Sequence, residues 1–318
     1  MNDLTVLRDA QAIVSKTVSP TACYNWPLLC DRTGAEVWVK HENHTVVGAF
    51  KLRGGLVYME RLRKKLPDVH GVLAATRGNH GQSVAFAAAR AGLPATVVVP
   101  RGNSVEKNAA MLALGAVLIE EGHDFQASLE FAQVHAREHG LHMLPSFHDD
   151  LVSGVASYGL ELFDSHDDLD TVYVPIGLGS GICAVLRARN ALNQTTRVVG
   201  VVAENAPAYA LSLAQGRPVS TNSADTIADG MACRVPNNDA VVEIAKGVER
   251  IVTVTDAEIC QAMRHYFTDT HNVAEGAGAA PLAALIKERD AMAGRKVAVI
   301  LSGGNVDRDV FAGVLADT

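Results

Sequence analysis

The sequence lacks the features of a secreted or membrane-bound protein. No run of eighteen apolar residues occurs, so no segment is long enough to cross a bilayer as a helix. The amino terminus has no basic stretch followed by an apolar one, which argues against a signal peptide. The five cysteines are odd in number and scattered, which favours free thiols in a reducing compartment over disulfides or a zinc site. We therefore expect a cytoplasmic protein with no membrane partner.

An excess of positive charge is also missing. The 28 lysines and arginines are outnumbered by 35 aspartates and glutamates, and the net charge is −7, so we expect no nucleic-acid partner. Apolar residues make up 48% of the chain and charged residues 20%, a balance typical of globular proteins. With 318 residues, the chain can bury the core of one large domain or of two ordinary ones.

What the sequence does have is a regular alternation of predicted strands and helices. Amphipathic segments separate seven apolar runs typical of buried strands, starting near residues 37, 71, 95, 116, 171, 198 and 297. This order predicts an α/β fold with parallel sheets flanked by helices. The segment 216–250 is polar and predicted to be irregular, and 275–278 is predicted to be a glycine-rich turn. Two blocks of elements would meet at a cleft, a usual place for a ligand.

A lysine between glycines is the most informative motif. Lys51 stands in the segment Gly48-Ala49-Phe50-Lys51-Leu52-Arg53-Gly54-Gly55. Burial of an ammonium group among small and apolar residues lowers its pKa. A desolvated amine is a better nucleophile, so Lys51 is a candidate to form a Schiff base. The motif alone leaves open a surface lysine at a helix start.

Three glycines within five residues follow the predicted strand at 171–176. The segment Gly177-Leu178-Gly179-Ser180-Gly181 opens a predicted helix, so its backbone N–H groups can converge on a phosphate. A dinucleotide is an alternative ligand, since Glu204 ends the next strand, where a ribose-binding acid would lie. Residue 182 is isoleucine where that fingerprint needs its third glycine, which disfavours a nicotinamide-dependent oxidoreductase. A tight structural turn is the remaining alternative.

Two further polar turns follow predicted strands. Thr76-Arg77-Gly78-Asn79-His80 offers a hydroxyl, a guanidinium, an amide and free N–H groups at a helix start. Together these groups can hold a carboxylate, although an N-capped helix without a ligand is the alternative. Ser302-Gly303-Gly304-Asn305 places a hydroxyl directly after the last predicted strand, where an ordinary turn is the alternative.

These four motifs, taken in their order along the chain, resemble those of the serine/threonine dehydratase branch of the fold-type-II pyridoxal-phosphate enzymes. Further matches span nearly the whole chain, at 19–21, 40–43, 115–116, 226–230 and 275–279. The resemblance implies a two-domain α/β fold similar to the tryptophan synthase β subunit, with a mostly parallel sheet flanked by helices in each domain. The large domain, which binds pyridoxal phosphate, would comprise residues 1–52 and 147–318, and the small domain residues 53–146.

The resemblance also implies roles for individual residues, with pyridoxal 5'-phosphate as the cofactor. Lys51 would bind the cofactor covalently and later carry the α-proton of the substrate. The cofactor site would be formed by Phe50, Lys51, Asn79, Gly177, Leu178, Gly179, Ser180, Gly181, Gly230, Glu275 and Ser302. In that set the 177–181 loop would hold the phosphate, Asn79 the ring hydroxyl and Ser302 the pyridine nitrogen. The substrate would be bound by Thr76, Arg77, Gly78, Asn79 and His80.

The activity implied by the resemblance is elimination of water from a 3-hydroxy amino acid. The substrate would be threonine, serine or a 3-substituted serine such as 3-phenylserine, and the products a 2-oxo acid and ammonia. The resemblance implies a homodimer, with a small amino acid as the other partner. A serine or aspartate racemase, or a dehydratase specific for 3-hydroxyaspartate, are the alternatives.

Three positions distinguish this chain from particular related enzymes. Arg77 stands where the dehydratases usually carry a small residue and where the racemases carry a serine that protonates the second face, and a guanidinium with a pKa above about 12 is a poor acid. Ala210 replaces an acid of the divalent-cation site of some relatives, so we expect no metal site. His80 stands where β-replacement synthases carry a threonine. Racemisation, a metal requirement and synthase activity are therefore disfavoured.

Overall fold

The computed structural model describes residues 3–316 and shows an α/β protein with two sheets. The predicted large domain therefore extends two residues beyond the described part at each end. The strands of the described part are β1 (Cys23–Asn25), β2 (Glu36–His41), β3 (Val72–Ala75), β4 (Ala95–Val99), β5 (Val117–Glu120), β6 (His142–Met143), β7 (Thr171–Pro175), β8 (Arg197–Ala203), β9 (Arg250–Val254) and β10 (Lys296–Leu301).

Helices connect and cover these strands. They are α1 (Leu4–Ser15), α2 (Pro27–Thr33), α3 (Lys51–Lys65), α4 (Asn79–Arg90), α5 (Val105–Ala113), α6 (Phe125–Glu138), α7 (Asp149–Ser165), α8 (Ser180–Ala191), α9 (Ala208–Gln215), α10 (Asn238–Gly247), α11 (Asp256–Thr270), α12 (Gly276–Lys287), α13 (Arg289–Met292) and α14 (Arg308–Ala316). Within residues 3–316, no helix is long and apolar enough to cross a bilayer.

The larger sheet has six strands in the order β1-β2-β10-β7-β8-β9. Its strands pair in parallel except for β1, which runs antiparallel to β2 at the edge. Successive residues of β7 contribute to two different cores, Tyr173 to one and Val172 and Val174 to the other. A sheet covered on both faces needs apolar residues on both sides of each central strand. This requirement explains why β7 and β10 are continuous apolar runs.

The smaller sheet has four parallel strands in the order β5-β4-β3-β6. Its central strand β3 is buried along its whole length, while the edge strand β5 leaves Val117 exposed. The prediction of mostly parallel sheets flanked by helices is thus confirmed. The assignment of the two sheets to separate domains, with boundaries at residues 53 and 146, stays a prediction.

The topology brings the four predicted motifs to the carboxyl ends of parallel strands. The 76–80 segment follows β3, the 177–181 segment follows β7 and Ser302 follows β10. Lys51 comes after β2, on the other side of a short 3₁₀ turn. In open parallel sheets, ligands bind in the crevice outside these carboxyl ends. The fold therefore directs all four motifs toward one cleft.

Two local predictions were wrong. The segment 216–250, predicted to be irregular, contains the helix α10. Asn237 caps this helix by accepting a hydrogen bond from the Ala240 N–H group at 3.1 Å, and packing of buried Ala240 and Ile244 outweighs the polar composition of the segment. The segment 275–278, predicted to be a turn, instead begins α12. Its glycines lie in close contact with the backbone of neighbouring segments and have the helical conformation.

Candidate active site

Lys51 is the first residue of α3 and projects toward the start of α8. Its Nζ atom lies 3.1 Å from the Ser180 hydroxyl oxygen and 5.0 Å from the centre of the Phe50 ring. The Phe50 N–H group donates to the Ser302 carbonyl at 3.0 Å, which fixes the turn before the lysine against the end of β10. Burial lowers the pKa of Lys51 to about 8, opposed by the negative charge of Glu275. A useful fraction of the amine is therefore neutral near pH 7 to 8.

The 177–181 loop joins β7 to α8 and presents its N–H groups without acceptors. None of these five groups donates a hydrogen bond within residues 3–316. A Cβ atom at position 177 would lie 2.2 Å from the Gly230 carbonyl, and Gly179 has a φ of +98°, so both positions require glycine. Tyr209 holds the loop from outside by donating to the Leu178 carbonyl at 2.8 Å. Unpaired N–H groups at a helix start are a binding site for an anion.

The 76–80 loop joins β3 to α4 and also presents backbone N–H groups without acceptors. The Thr76 hydroxyl accepts from the Gly78 N–H at 3.2 Å, so these two groups satisfy each other. The N–H groups of Arg77, Asn79 and His80 donate to no acceptor within the described residues. The Arg77 side chain is exposed and forms no ion pair in that part of the chain. The loop thus offers donors at a helix start where a carboxylate fits.

Asn79 connects this loop to Glu275 and Asn305. Its amide nitrogen lies 2.8 Å and 3.1 Å from the two carboxylate oxygens of Glu275, and its amide oxygen accepts from Asn305 at 2.8 Å. Burial raises the pKa of Glu275 to about 7, with a further contribution from the charge of Asp229, while Lys107, Asn79 and Lys51 oppose the shift. Glu275 can therefore hold or release a proton near neutral pH.

His80 contributes a neutral imidazole beside the lysine. Burial lowers the pKa of His80 to about 3, and the positive charge of Lys51 adds to the shift. The Nε2 atom of His80 is buried and has no hydrogen-bond partner among the described residues. An unsatisfied buried polar atom is costly, so its presence at this loop indicates that the site is complete only with a ligand.

The structure brings most of the predicted cofactor residues together. Contacts connect Lys51 with Phe50 and Ser180, and Gly230 borders the 177–181 loop. The Ser302 side chain is buried, and its hydroxyl makes no hydrogen bond inside the 3–316 range. Asn79 contacts Glu275 instead of standing free. The roles that the sequence assigns to these residues toward a cofactor and a substrate stay predictions.

One ion pair at the site was missed by the sequence-based prediction. The ammonium of Lys107 in α5 contacts the carboxylate of Asp229 across the cleft, and the lysine side chain is 9% exposed. Lys107 follows Ser104-Val105-Glu106, which has the composition of an exposed helix start. Its burial results from the approach of the two sheets, and no local sequence signal indicates it.

The donor set fits an aromatic aldehyde that carries a phosphate. It comprises an amine of lowered pKa, a loop of unpaired N–H groups and a buried hydroxyl, all facing one cleft. These are the groups needed for a Schiff base, a phosphate and a ring nitrogen. No group of three or more histidine, cysteine or acidic side chains is placed to hold a metal ion in the part of the chain that the structure describes.

Comparison with known proteins supports this interpretation. The sequence pattern of the pyridoxal-phosphate dependent enzymes matches residues 14–303. The chain is similar to the L-threonine ammonia-lyase of Thermotoga maritima, with 35% identity over 95% of this chain and 75% of that protein. It is 30% identical to the L-threo-3-hydroxyaspartate ammonia-lyase of Saccharomyces cerevisiae, over 97% and 94% of the two chains. A crystal structure of a pyridoxal 5'-phosphate-dependent aspartate racemase superposes with a TM-score of 0.91 at 28% identity, over 96% and 97%.

Proposed function

This chain belongs to the family of pyridoxal-phosphate dependent enzymes, and we propose that it converts a 3-hydroxy amino acid to a 2-oxo acid and ammonia. Pyridoxal 5'-phosphate is its cofactor, and its similarity to ammonia-lyases makes it a lyase. The observation that carries the proposal is the position of Lys51, a lysine of lowered pKa between the 177–181 loop and the 76–80 loop. Threonine, serine and 3-phenylserine are the proposed substrates.

The residues of the cleft divide the work of holding the cofactor. The N–H groups of the 177–181 loop would bind its phosphate, Lys51 its aldehyde carbon and Ser302 its ring nitrogen. When bound, pyridoxal 5'-phosphate acidifies the α-hydrogen of an amino acid by accepting electrons into its ring. A serine hydroxyl leaves the ring nitrogen largely unprotonated, which weakens the ring as an electron acceptor. This suits an elimination in which the departing β-hydroxyl takes up the developing charge.

Lys51 is suited to move the α-proton. With a pKa near 8, its Nζ atom is basic enough to take a proton and acidic enough to return it at physiological pH. The adjacent Ser180 hydroxyl, 3.1 Å away, orients the amine between the two loops. His80 stays neutral, because burial and the positive charge of Lys51 both lower the pKa of its imidazole. Of these two neighbouring groups, only Lys51 therefore carries a proton that can move.

The substrate carboxylate has a ready position at the start of α4. The unpaired N–H groups of Asn79 and His80 lie at the positive end of the helix dipole, which favours a negative group. This arrangement recognises the α-carboxylate that every amino acid carries, and it does not by itself choose the side chain. Arg77, which is exposed beside the loop, is the group that can add a preference for a second carboxylate.

Two alternatives rest on the relatives. Similarity to an aspartate racemase favours inversion at the α-carbon, but Arg77 replaces the serine expected on the second face and is a poor acid. Similarity to a 3-hydroxyaspartate ammonia-lyase favours an acidic substrate, for which Arg77 would be the partner. The dehydratase of a neutral 3-hydroxy amino acid is our first choice, because Lys107 is already paired with Asp229 and Arg77 is exposed rather than enclosed in a pocket for a second carboxylate.

Assembly and localisation belong to the same proposal. We propose a cytoplasmic homodimer, on the basis of family resemblance. Light scattering across the micromolar range would give twice the chain mass of 33.6 kDa if the proposal is right. A monomer at every concentration would contradict it.

A substrate panel tests the proposed reaction. The purified protein, saturated with pyridoxal 5'-phosphate, is incubated with L-threonine, L-serine, 3-phenylserine and 3-hydroxyaspartate, and ammonia and 2-oxo acid are measured. We expect release of both products in equal amounts from at least one neutral substrate. Chiral chromatography of recovered L-serine and L-aspartate tests racemisation in the same samples. Inversion without ammonia would replace the lyase proposal with a racemase, and release from 3-hydroxyaspartate alone would replace the proposed substrate class.

A further inference from the structure

Lys107 is a buried cation that the proposed reaction does not use. It lies in α5, a helix that follows β4 of the smaller sheet, and its side chain is 9% exposed. A lysine is rarely this buried unless it is paired. Its partner, Asp229, belongs to the 3₁₀ turn Asp229–Met231 on the side of the larger sheet. The ion pair therefore bridges the two sheets at the cleft.

The stem of Lys107 supports the 76–80 loop from behind. A Cβ atom at position 78 would lie 2.9 Å from Cδ of Lys107 and 3.7 Å from its Nζ. The flexible stem could normally give way to such a contact, but here the ammonium is held by Asp229. Gly78 precedes Asn79 and His80, whose N–H groups are unpaired within the described residues. The position of these donors is thus set by contact with a pinned side chain.

The other end of the ion pair reaches the phosphate loop. Asp229 is followed by Gly230, whose carbonyl oxygen lies close to Gly177. A Cβ atom added at position 177 would be only 2.2 Å from that oxygen. The negative charge of Asp229 also contributes, after burial, to the raised pKa of Glu275. The carboxylate of Glu275 in turn accepts a hydrogen bond from Asn79. A continuous line of contacts runs from the 76–80 loop through the ion pair to the 177–181 loop.

Two further contacts join the start of α5 to the segment that leads from β10 of the larger sheet into α14. The Ser104 hydroxyl donates to Asp307 at 2.5 Å, and the Arg308 N–H group donates to Glu106 at 3.0 Å. Neither Ser104 nor Glu106 is among the atoms closest to position 78. These contacts attach the same helix to the same side of the cleft without touching the loop, so they provide a control for attachment alone.

We propose that Lys107 is a positioning residue for the substrate: held by Asp229, it fixes the backbone at Gly78 and aims the N–H groups of Asn79 and His80 at the substrate carboxylate. This inference rests on the proposed function, since it assumes that an amino acid binds at the 76–80 loop. The ion pair also links this loop to the loop for the cofactor phosphate. The two halves of the site are therefore positioned by one contact.

Equilibrium binding of glycine tests the inference without turnover. Glycine has a carboxylate and an amine but no β-hydroxyl to eliminate, and its binding to the cofactor-loaded protein changes the visible absorption. We expect Lys107→Met to raise the Kd for glycine at least tenfold, and Gly78→Ala to act in the same direction. Glu106→Ala is the matched control, because it removes a contact of the same helix with the segment that leads from β10 into α14, and it should stay within twofold of the wild type.

A conservative variant separates positioning from general stability. Asp229→Asn keeps the shape of the partner and removes its charge, so it should weaken glycine binding in the same direction, and the double variant with Lys107→Met should be no worse than the worse single variant. Unfolding midpoints are recorded for each. If Lys107→Met does not fold, Asp229→Asn carries the test with the same tenfold expectation.

The outcomes distinguish this inference from the proposed function. Unchanged glycine binding in Lys107→Met, or in Asp229→Asn if Lys107→Met does not fold, would overturn the inference and leave the proposed function intact. Equal losses in Lys107→Met and Glu106→Ala would also overturn it, because attachment of α5 would then explain both. A wild-type protein that takes up the cofactor but shows no absorption change with glycine or any 3-hydroxy amino acid would overturn the proposed function, and the inference with it.

Discussion

Two groups of charged residues meet near the start of α3, one including Lys51 and the other including Arg53, and they differ in how completely their members are paired. The structural cluster consists of Lys40, Glu42, Arg53 and Glu161. The cleft cluster consists of Lys51, Lys107, Asp229 and Glu275. Each contains two basic and two acidic side chains. One cluster is fully paired, whereas in the other an ion pair stands beside two groups that have no ion-pair partner within residues 3–316, Lys51 and Glu275.

The structural cluster is saturated with hydrogen bonds. Arg53 donates to Glu42 at 2.7 Å and to Glu161 at 2.6 Å, and Lys40 donates to Glu161 at 2.6 Å. Burial alone would raise the pKa of Glu42, but the charges of Arg53 and Lys40 and hydrogen bonds outweigh it and lower that pKa below its usual value. Glu42 and Arg53 therefore stay charged at neutral pH, and breaking such a cluster costs stability.

In the cleft cluster, Lys107 and Asp229 are paired with each other and the other two members are not in an ion pair within the described residues. Lys51 has no acidic side chain within ion-pair distance in the described residues, and burial brings its pKa to about 8. Burial likewise raises the pKa of Glu275 to about 7. Both groups can change their protonation state near pH 7, as groups in active sites do. The difference shows that burial without an ion-pair partner among the described residues, at Lys51 and Glu275, marks the functional cluster.

The largest expected effect is on turnover, and it follows from replacing Lys51 of the cleft cluster. Lys51→Ala should lower turnover by roughly 10²–10⁴-fold or more, since it removes both the cofactor bond and the proton carrier, while stability changes little. Steady-state ammonia release measures it, with exposed Lys64→Ala on the same helix as the control. Borohydride reduction and peptide mass spectrometry should place the cofactor on Lys51, and a label on Lys40 or Lys107 would contradict the assignment.

Loss of Arg53 from the structural cluster should lower stability instead of activity. Arg53→Met leaves the carboxylates of Glu42 and Glu161 buried without their main partner, which should cost about 3–5 kcal/mol of unfolding free energy. Lys64→Met, on the same helix, removes an exposed pair with Glu60 and should cost less than about 1 kcal/mol. Urea unfolding of both variants provides the comparison. Equal losses would mean that the structural cluster is no more important than a surface pair.

Arg77 tests whether the cleft has a third cation for a ligand. If it binds the α-carboxylate, Arg77→Ala should raise the barrier by about 1.5–3 kcal/mol for every substrate alike, through loss of a charge-assisted hydrogen bond. If it binds a second carboxylate, only 3-hydroxyaspartate should be affected. kcat/KM on the four substrates distinguishes these results, with exposed Arg101→Ala as the control. Unchanged kinetics on all four would show that Arg77 has no part in binding.

The smallest expected effect is a difference in pH dependence. The folded-state pKa of Glu275 lies above its usual value of 4.5, so the folded protein binds more protons than the unfolded one between about pH 4.5 and 7. The contribution of Glu275 to the stability of the cofactor-free protein should therefore fall as the pH rises through this range, on the order of 1–2 kcal/mol. The difference between the wild type and Glu275→Gln isolates this contribution from the opposite one of His80, whose pKa is lowered. Urea unfolding at pH 5, 6 and 7 measures it. The carboxylate of Glu42, with a lowered pKa, should instead lose its contribution below pH 4.5.

The sequence supported the outline of the site because its loops are local. Glycines at 177 and 179, the turn at 76–80 and the lysine at 51 each have a composition that restricts the backbone over a few residues. Strand order could not be predicted in this way: β10 pairs between β2 and β7, although about 250 residues separate it from β2 along the chain. That pairing depends on non-local packing of apolar faces, which local composition does not encode.

Residue types and their spacing alone determined an α/β chain with four polar turns at strand ends, because apolar periodicity and glycine act over short distances. Only the tertiary structure decided that Arg53 is paired while Lys51, two residues earlier, is not. It also decided that Lys107, on a helix with an exposed-looking sequence, is buried against Asp229. The reason is that a pKa and an ion pair depend on burial and on charges from distant segments, and these are set when the two sheets pack together.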